Sequence, residues 1–368
     1  MNNTTRRCRV ALVGAGNIAR IAHLPALAAH AEHVEVVGVA DAEFERALAL
    51  AREWGIPDAF ASLTDMLDAR RPDLVIVCTP PIAHRAAIIE SLDAGAWVWC
   101  EKPPVLSLAE FDEIESHVAP EGPYVSYVFQ HRFGAGAARL KRQITGGELG
   151  EPTVAVCNTL WYRDDEYFAV PWRGRWETEG GGPTLGHGIH QIDLALHLLG
   201  DWSEIRATMR TIRRSIETED VSMASVVMES GAMMSVTNSL LSPREESYLR
   251  FDLTDATVEL RHVYGYDNAD WTWTPAPHVA PAVAAGWPPV EAGASSHTAQ
   301  LGALLQAYRA GERPPVSGAD ARRSLEFITG LYKSAITGSI VHRSELTPGD
   351  PFYASLDGGR RRATEAVA

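Results

Sequence analysis

A strand that runs straight into a glycine turn and out into a helix constrains the fold more than any other local pattern, and this chain carries one near its start. Val10-Ala11-Leu12-Val13 precedes Gly14-Ala15-Gly16-Asn17-Ile18-Ala19, a match to G-x-G-x-x-A. Gly14 suits the tight turn, Gly16 lets the backbone approach a pyrophosphate, and Ala19 allows close packing of helix on sheet. Asn17 and Ile18 open the helix, whose N-terminal N–H groups face an anion. The second strand ends in Val39-Ala40-Asp41, and Asp41 stands twenty-two residues after Ala19, where an acid accepts hydrogen bonds from the adenosine ribose hydroxyls. Its competing role is to cap the next helix. No Arg or Lys adjoins Asp41, which favours NAD, while Arg46 one turn on keeps NADP open.

The surrounding pattern extends this motif to a domain. Arg9–Val13, Val34–Ala40, Leu74–Cys78 and Trp97–Cys100 read as strands, separated by helices from Ile18, Glu43, Ala83 and Leu108. Near-continuous apolar strands alternating with helices predict a parallel sheet covered on both faces, a doubly wound Rossmann domain over residues 1–123. From Tyr124 the strands lengthen and alternate: Val125–Phe129, Thr153–Trp161, Ile205–Ile212, Val221–Met228, Ala232–Leu240, Tyr248–Leu253 and Ala256–Leu260. Hairpin spacing between several of them predicts an open, mostly antiparallel sheet in an α+β domain over 124–350. Helices at 136–144, 188–199 and 298–310 would cover one face. The Pro-, Ala- and Trp-rich segment 263–296 reads as a long loop whose aromatics, Tyr264, Tyr266, Trp271, Trp273 and Trp287, either overhang a site or pack. Residues 351–368 read as a C-terminal tail, frayed from Gly358.

Two domains suit a chain of 368 residues that is 46% hydrophobic and 22% charged. A net charge of -14 argues against nucleic acid and anionic membranes as partners and leaves small polar molecules. Cys8, Cys78, Cys100 and Cys157 are scattered without a Cys-x-x-Cys pair, which suits a reducing cytoplasm. Arg6-Arg7 is followed by a glycine turn rather than an export signal, and no apolar run approaches the ~18 residues of a membrane span.

Three further segments carry chemistry. Thr79-Pro80-Pro81-Ile82-Ala83-His84 and Glu101-Lys102-Pro103 close two strands, and ligands of such sheets sit beyond the strands' carboxyl ends. The third is Gly180-Gly181-Gly182-Pro183-Thr184-Leu185-Gly186-His187-Gly188-Ile189-His190-Gln191-Ile192-Asp193. Together with the glycine turn these segments resemble the glucose-fructose oxidoreductase / inositol dehydrogenase (Gfo/Idh/MocA) family, from Val10 through Ser334-Ala335-Ile336-Thr337-Gly338. The resemblance implies an NAD(P)-dependent dehydrogenase or reductase acting on CH-OH groups. It would pass a hydride between nicotinamide and a secondary alcohol or ketone of a sugar, polyol or cyclitol. It also implies that Thr79 and Pro80 lie along the dinucleotide, that Glu101 and Lys102 lie beside the nicotinamide and that His190 is the acid/base. A homodimer or homotetramer through the C-terminal sheet follows from the same resemblance.

The residue chemistry is compatible with this. An imidazole near neutrality can move the proton, and a lysine can stabilise charge growing on the substrate oxygen. The opposing readings are a solvated Lys102 paired with Glu101, a His84 that is only an early-helix residue and an Asp193 that is a buried hydrogen-bond partner rather than a histidine's orienter. Upstream, Trp161 to Tyr167 and Trp172 to Trp176 mix rings with charge, and Tyr162, Arg163, Trp172 and Arg173 are candidates for a sugar-binding wall, joined by Arg132. Where the family has an Asp, this chain has Gly186. Either His187 takes over its function, or a larger substrate fills the space, or chemistry has been lost. His187, His190 and Asp193 at one-turn spacing raise a metal alternative, but they match no established zinc motif, so no metal is expected. Two rival functions stay open: a lyase or glycosidase that uses transient oxidation, and a non-catalytic NAD- or sugar-binding regulator.

Overall fold

A computed structural model describes residues 6–360. The expectations for 361–368, including Arg361 and Arg362, lie outside the described residues. The chain folds as two compact units. The first gathers the described residues up to Val105 with Ala109–Val128 and His297–Arg322; the second holds Leu106–Leu108, Phe129–Ser296 and the described residues from Arg323.

In the first unit, β1 (Cys8–Val13), β2 (Val34–Ala40), β3 (Ala59–Phe60), β4 (Leu74–Val77), β5 (Trp97–Cys100) and β6 (Val125–Tyr127) form one sheet in the order β3-β2-β1-β4-β5-β6. All neighbours run parallel. The chain winds outward from β1 in one direction, then returns to start β4 on its other side, which makes the ends of β1 and β4 the topological switch point. Every residue of β4 and β5 is buried, the double-sided burial that their unbroken apolar sequence predicts. The helix His297–Ala310 belongs here. Its Leu301, Leu304 and Leu305 share a core with Val10, Leu12, Trp97 and Trp99. Residues 297–322 thus pack with the first unit although they fall inside the 124–350 span, because a one-sided apolar helix must bury its stripe wherever a matching face exists.

The second unit is an eight-stranded sheet of β7 (Pro152–Tyr162), β8 (Trp202–Arg210), β9 (Val221–Met228), β10 (Met233–Ser239), β11 (Leu241–Leu253), β12 (Ala256–His262), β13 (Trp271–Pro275) and β14 (Val341–His342). Its order is β13-β12-β11-β7-β10-β9-β8-β14. All pairs are antiparallel except β10 with β7. One face is covered by the helices Ile189–Leu199 and Gly318–Thr337; the second has no counterpart in the sequence reading, yet its Leu325, Ile328, Leu331 and Tyr332 are fully buried. The other face exposes Val154, Met223 and Met233.

Two expectations change. Segment 263–296 is not one long loop: β13 pairs with β12, and Tyr266, Trp271 and Trp287 are buried, since Trp271 faces Leu260 in register. The tail is also docked as far as Leu356, with Asp350 capping the helix Pro351–Ala354 and Phe352, Tyr353 and Leu356 buried.

Candidate active site

The dinucleotide motif is built at the switch point of the first unit. Gly14 has φ +95°, and a Cβ there would lie 2.6 Å from the Cys78 carbonyl carbon, so only glycine lets the tips of β1 and β4 meet. A Cβ on Gly16 would meet nothing within 4 Å, which leaves its backbone open to approach. Asn17 is exposed, Ile18 half-buried and Ala19 fully buried against the sheet. Asp41 Oδ2 accepts from the Ala15 N–H and Oδ1 from the Glu43 N–H, both at 2.8 Å. One carboxylate therefore closes the glycine turn and the turn after β2, with lone pairs remaining for a ribose. An open cradle, a glycine that no larger residue could replace and an acid tied to the turn are what NAD requires.

The loops after β4 and β5 are braced from below. His84 is buried, with Nε2 2.9 Å from the Thr79 carbonyl oxygen and Nδ1 2.9 Å from that of Pro103. It is a strut between the Thr79-Pro80 loop and the Lys102-Pro103 loop, and burial pushes its imidazole below the ordinary range. Glu101 is 6% exposed and accepts from His23 Nε2 at 2.8 Å, His297 Nε2 at 3.1 Å and the Lys102 backbone N–H at 3.2 Å. Burial alone would raise its carboxyl, but the hydrogen bonds from the two histidines hold it well below the ordinary range. Burial in turn lowers His23, whose Nδ1 is buried without a partner; a neutral ring donating through Nε2 satisfies both facts. The same three side chains could ligate a metal ion, all donor atoms lying within 4.8 Å, but these separations are those of hydrogen bonds. Lys102 itself is half-buried.

In the second unit, the glycine segment is pinned rather than loose. Glu219, buried and raised by that burial, accepts from the Gly182 and Thr184 N–H groups at 3.0 and 3.1 Å and from the Tyr332 hydroxyl at 2.9 Å. The helical turn Thr184–Gly188 then leads into Ile189–Leu199. His187 is 8% exposed, edge-on to Trp161 at 5.3 Å, with Nε2 3.3 Å from the Tyr167 hydroxyl. His190, 3% exposed, lies against His131 at 5.1 Å and Tyr264 at 5.8 Å. Trp161 and Tyr264 are 6.1 Å apart, so both histidines border one aromatic wall.

The remaining candidates divide. Arg173 stands over the Tyr167 ring at 3.9 Å and over Trp172 at 4.2 Å. Arg163 lies over Trp161 at 5.0 Å and pairs with Glu245, while Tyr162 is exposed at 45% beside Arg214. Arg132 and Asp193 instead hold each other: Nε donates to Oδ2 at 2.7 Å, Nη2 to Oδ1 at 2.6 Å, and Ser324 adds a third bond. This buried fork ties the two candidates to each other within the second unit. Residues that the sequence reading did not select also brace these segments, each within its own unit. Glu179, directly before the glycine run, and Tyr167, inside the aromatic run, had local signals. His131, His23 and His297 had none, since their partners are distant in sequence.

A dinucleotide-binding unit joined to a unit whose paired histidines border an aromatic wall defines a class, the two-domain nicotinamide oxidoreductases. Within it the chain belongs to the Gfo/Idh/MocA family: residues 8–129 match the family's NAD-binding Rossmann fold and 137–276 its C-terminal domain. It is 34% identical to D-glucoside 3-dehydrogenase of Escherichia coli over 54% of this chain, and so spans about half (55%) of that relative's length. D-apiose dehydrogenase of Paraburkholderia graminis is 27% identical over 98% of this chain and 96% of its own. The solved WlbA dehydrogenase of Bordetella pertussis, in complex with NADH and UDP-GlcNAcA, superposes with a TM-score of 0.82 at 27% identity, covering 92% of this chain and 99% of that one.

Proposed function

We propose that this protein is an NAD-dependent oxidoreductase that passes a hydride between nicotinamide and a secondary alcohol or ketone of a sugar, polyol or cyclitol. The observation that carries the reading is the pair His187 and His190 set along the Trp161–Tyr264 wall, a surface suited to the apolar face of a sugar ring. NAD, held by Gly14, Gly16 and Asp41, supplies the hydride acceptor when bound. His190 takes the proton from the alcohol during oxidation and returns it during reduction. Lys102, its loop fixed by Glu101 and His84, donates to the substrate oxygen and stabilises charge on it. The similarity to a D-glucoside 3-dehydrogenase, a D-apiose dehydrogenase and a dehydrogenase solved with UDP-GlcNAcA favours a glucoside, a free sugar or a nucleotide-linked sugar.

The apolar residues on the open sheet face support assembly into a dimer or tetramer through that face, which size-exclusion chromatography with light scattering would test. Four free, buried cysteines suit a reducing compartment. Among the described residues no helix is long and apolar enough to cross a membrane.

The test is NADH formation on methyl β-D-glucopyranoside, D-apiose, myo-inositol and UDP-GlcNAcA. K102A and H190A should each lower turnover by about a hundredfold or more while NADH binding persists. Unchanged turnover in both variants would sink the site assignment.

A further inference from the structure

Position 186 is where the catalytic segment departs from the family pattern, and its surroundings hold a second acid. The backbone at Gly186 is not left-handed, so an L-residue would fit there without strain. A Cβ at 186 would find a single atom within 4 Å outside its own turn, Oε1 of Glu179 at 3.8 Å. An aspartate at 186 would extend its oxygens two bonds, of about 1.5 and 1.2 Å, into that same neighbourhood.

Glu179 is 6% exposed, and a buried carboxylate needs compensation. Its Oε2 accepts from the Gly174 N–H at 2.6 Å, and Oε1 accepts from Arg173 Nη1 at 3.1 Å. Arg173 also donates to the Tyr167 hydroxyl. Arginine has no acceptor, so the phenol oxygen receives that bond, and the same hydroxyl lies 3.3 Å from His187 Nε2. Burial raises the Tyr167 phenol, so the hydroxyl stays protonated. The result is a hydrogen-bonded chain from Glu179 through Arg173 and Tyr167 to His187.

We infer that Glu179 supplies, from the loop ahead of the helix, the active-site carboxylate that residue 186 lacks, accepting a substrate hydroxyl at the open side of Gly186 while orienting His187 through Arg173 and Tyr167. The inference rests on the oxidoreductase reading above. A carboxylate can be moved, which gives the test. With NAD and the sugars of the panel, E179Q should lower kcat/KM by about tenfold or more, the worth of a hydrogen bond to a charged group. NADH affinity should stay at the parental value. E179Q/G186D, which returns a carboxylate from the other side, should recover most of the loss. G186D alone should lower kcat/KM, because two carboxylates then crowd one place; this arm does not depend on how well the protein tolerates loss of Glu179. E179Q at parental kcat/KM, a double variant no better than E179Q or a silent G186D would each overturn the inference. If the parent protein neither oxidises nor binds any sugar of the panel, the oxidoreductase reading is what fails, and this inference falls with it.

Discussion

Both units place buried acids beside groups assigned to catalysis, but they hold them differently. In the first, Glu101 is gripped by His23 and His297, and His84 ties the neighbouring loops. In the second, Asp193 is gripped by Arg132, and Glu179 by Arg173. A guanidinium keeps its charge at every accessible pH, whereas an imidazole changes state near neutrality. In the first unit His23 is a donor of the titrating kind, whereas the arginines that hold Asp193 and Glu179 are not. Unpaired charge is the hazard in one, and protonation is the hazard in the other.

The sharpest way to break this contrast is to remove an arginine. R132A leaves Asp193 buried with Ser324 and without its cation, and should cost about 3–5 kcal/mol in denaturant unfolding. R132K should not restore the loss, since an ammonium cannot reproduce the two-pronged contact. A loss below about 1 kcal/mol would mean that packing, not the ion pair, holds the second unit.

The complementary experiment concerns protons. Burial lowers folded His23 below its ordinary 6.5, so between that value and the folded one the unfolded chain binds a proton that the folded chain refuses. Stability therefore falls as pH drops below 6.5, by up to about 1.4 kcal/mol per pH unit for one such proton. Glu101, lowered from its ordinary 4.5, contributes stability above that value and loses it as pH falls further. Gln in place of His23 can still donate to Glu101 but cannot titrate. H23Q should thus flatten stability against pH between 6.5 and 5, measured by denaturant titration at each pH. His84 and His262, also lowered by burial, the latter to about 4, keep part of the slope. An unchanged slope would show that His23 is not among the refusing groups.

The same contrast explains what could be read from the sequence. In the first unit the glycine turn and Asp41 lie at the ends of β1 and β2, where motif spacing marked them, and Lys102 follows β5 in a tripeptide that the family resemblance marked. The parallel pairing of β10 with β7 inside an otherwise antiparallel sheet left no local trace, because register over such a separation is set by which faces can be buried together. The braces were illegible for a related reason: His297 reaches Glu101 across 196 residues and Ser324 reaches Asp193 across 131. Arg132 and Arg173 look alike as sequence, each in a charged aromatic run, yet one is locked in a buried ion pair and the other lies over the rings of Tyr167 and Trp172. Only burial separates them, the Arg132 side chain being 4% exposed and that of Arg173 23%. The helix Gly318–Thr337 is different, since its apolar residues recur at helical spacing and were available to be read.

The smallest effect marks where the contrast stops. Arg163 pairs with Glu245 at 2.7 Å in the second unit, with side chains 26% and 35% exposed, so water competes for both charges. If an arginine stabilises this unit only where it is desolvated, R163A should change unfolding free energy by no more than about 1 kcal/mol, and by less in high salt. Its second role is separable. The guanidinium lies over Trp161, the ring that also borders His187, so its removal should act on KM for the sugar more than on kcat. Loss of stability on the scale of R132A would show that exposure does not sort these pairs, and the division between titrating and permanent donors would then need a different cause.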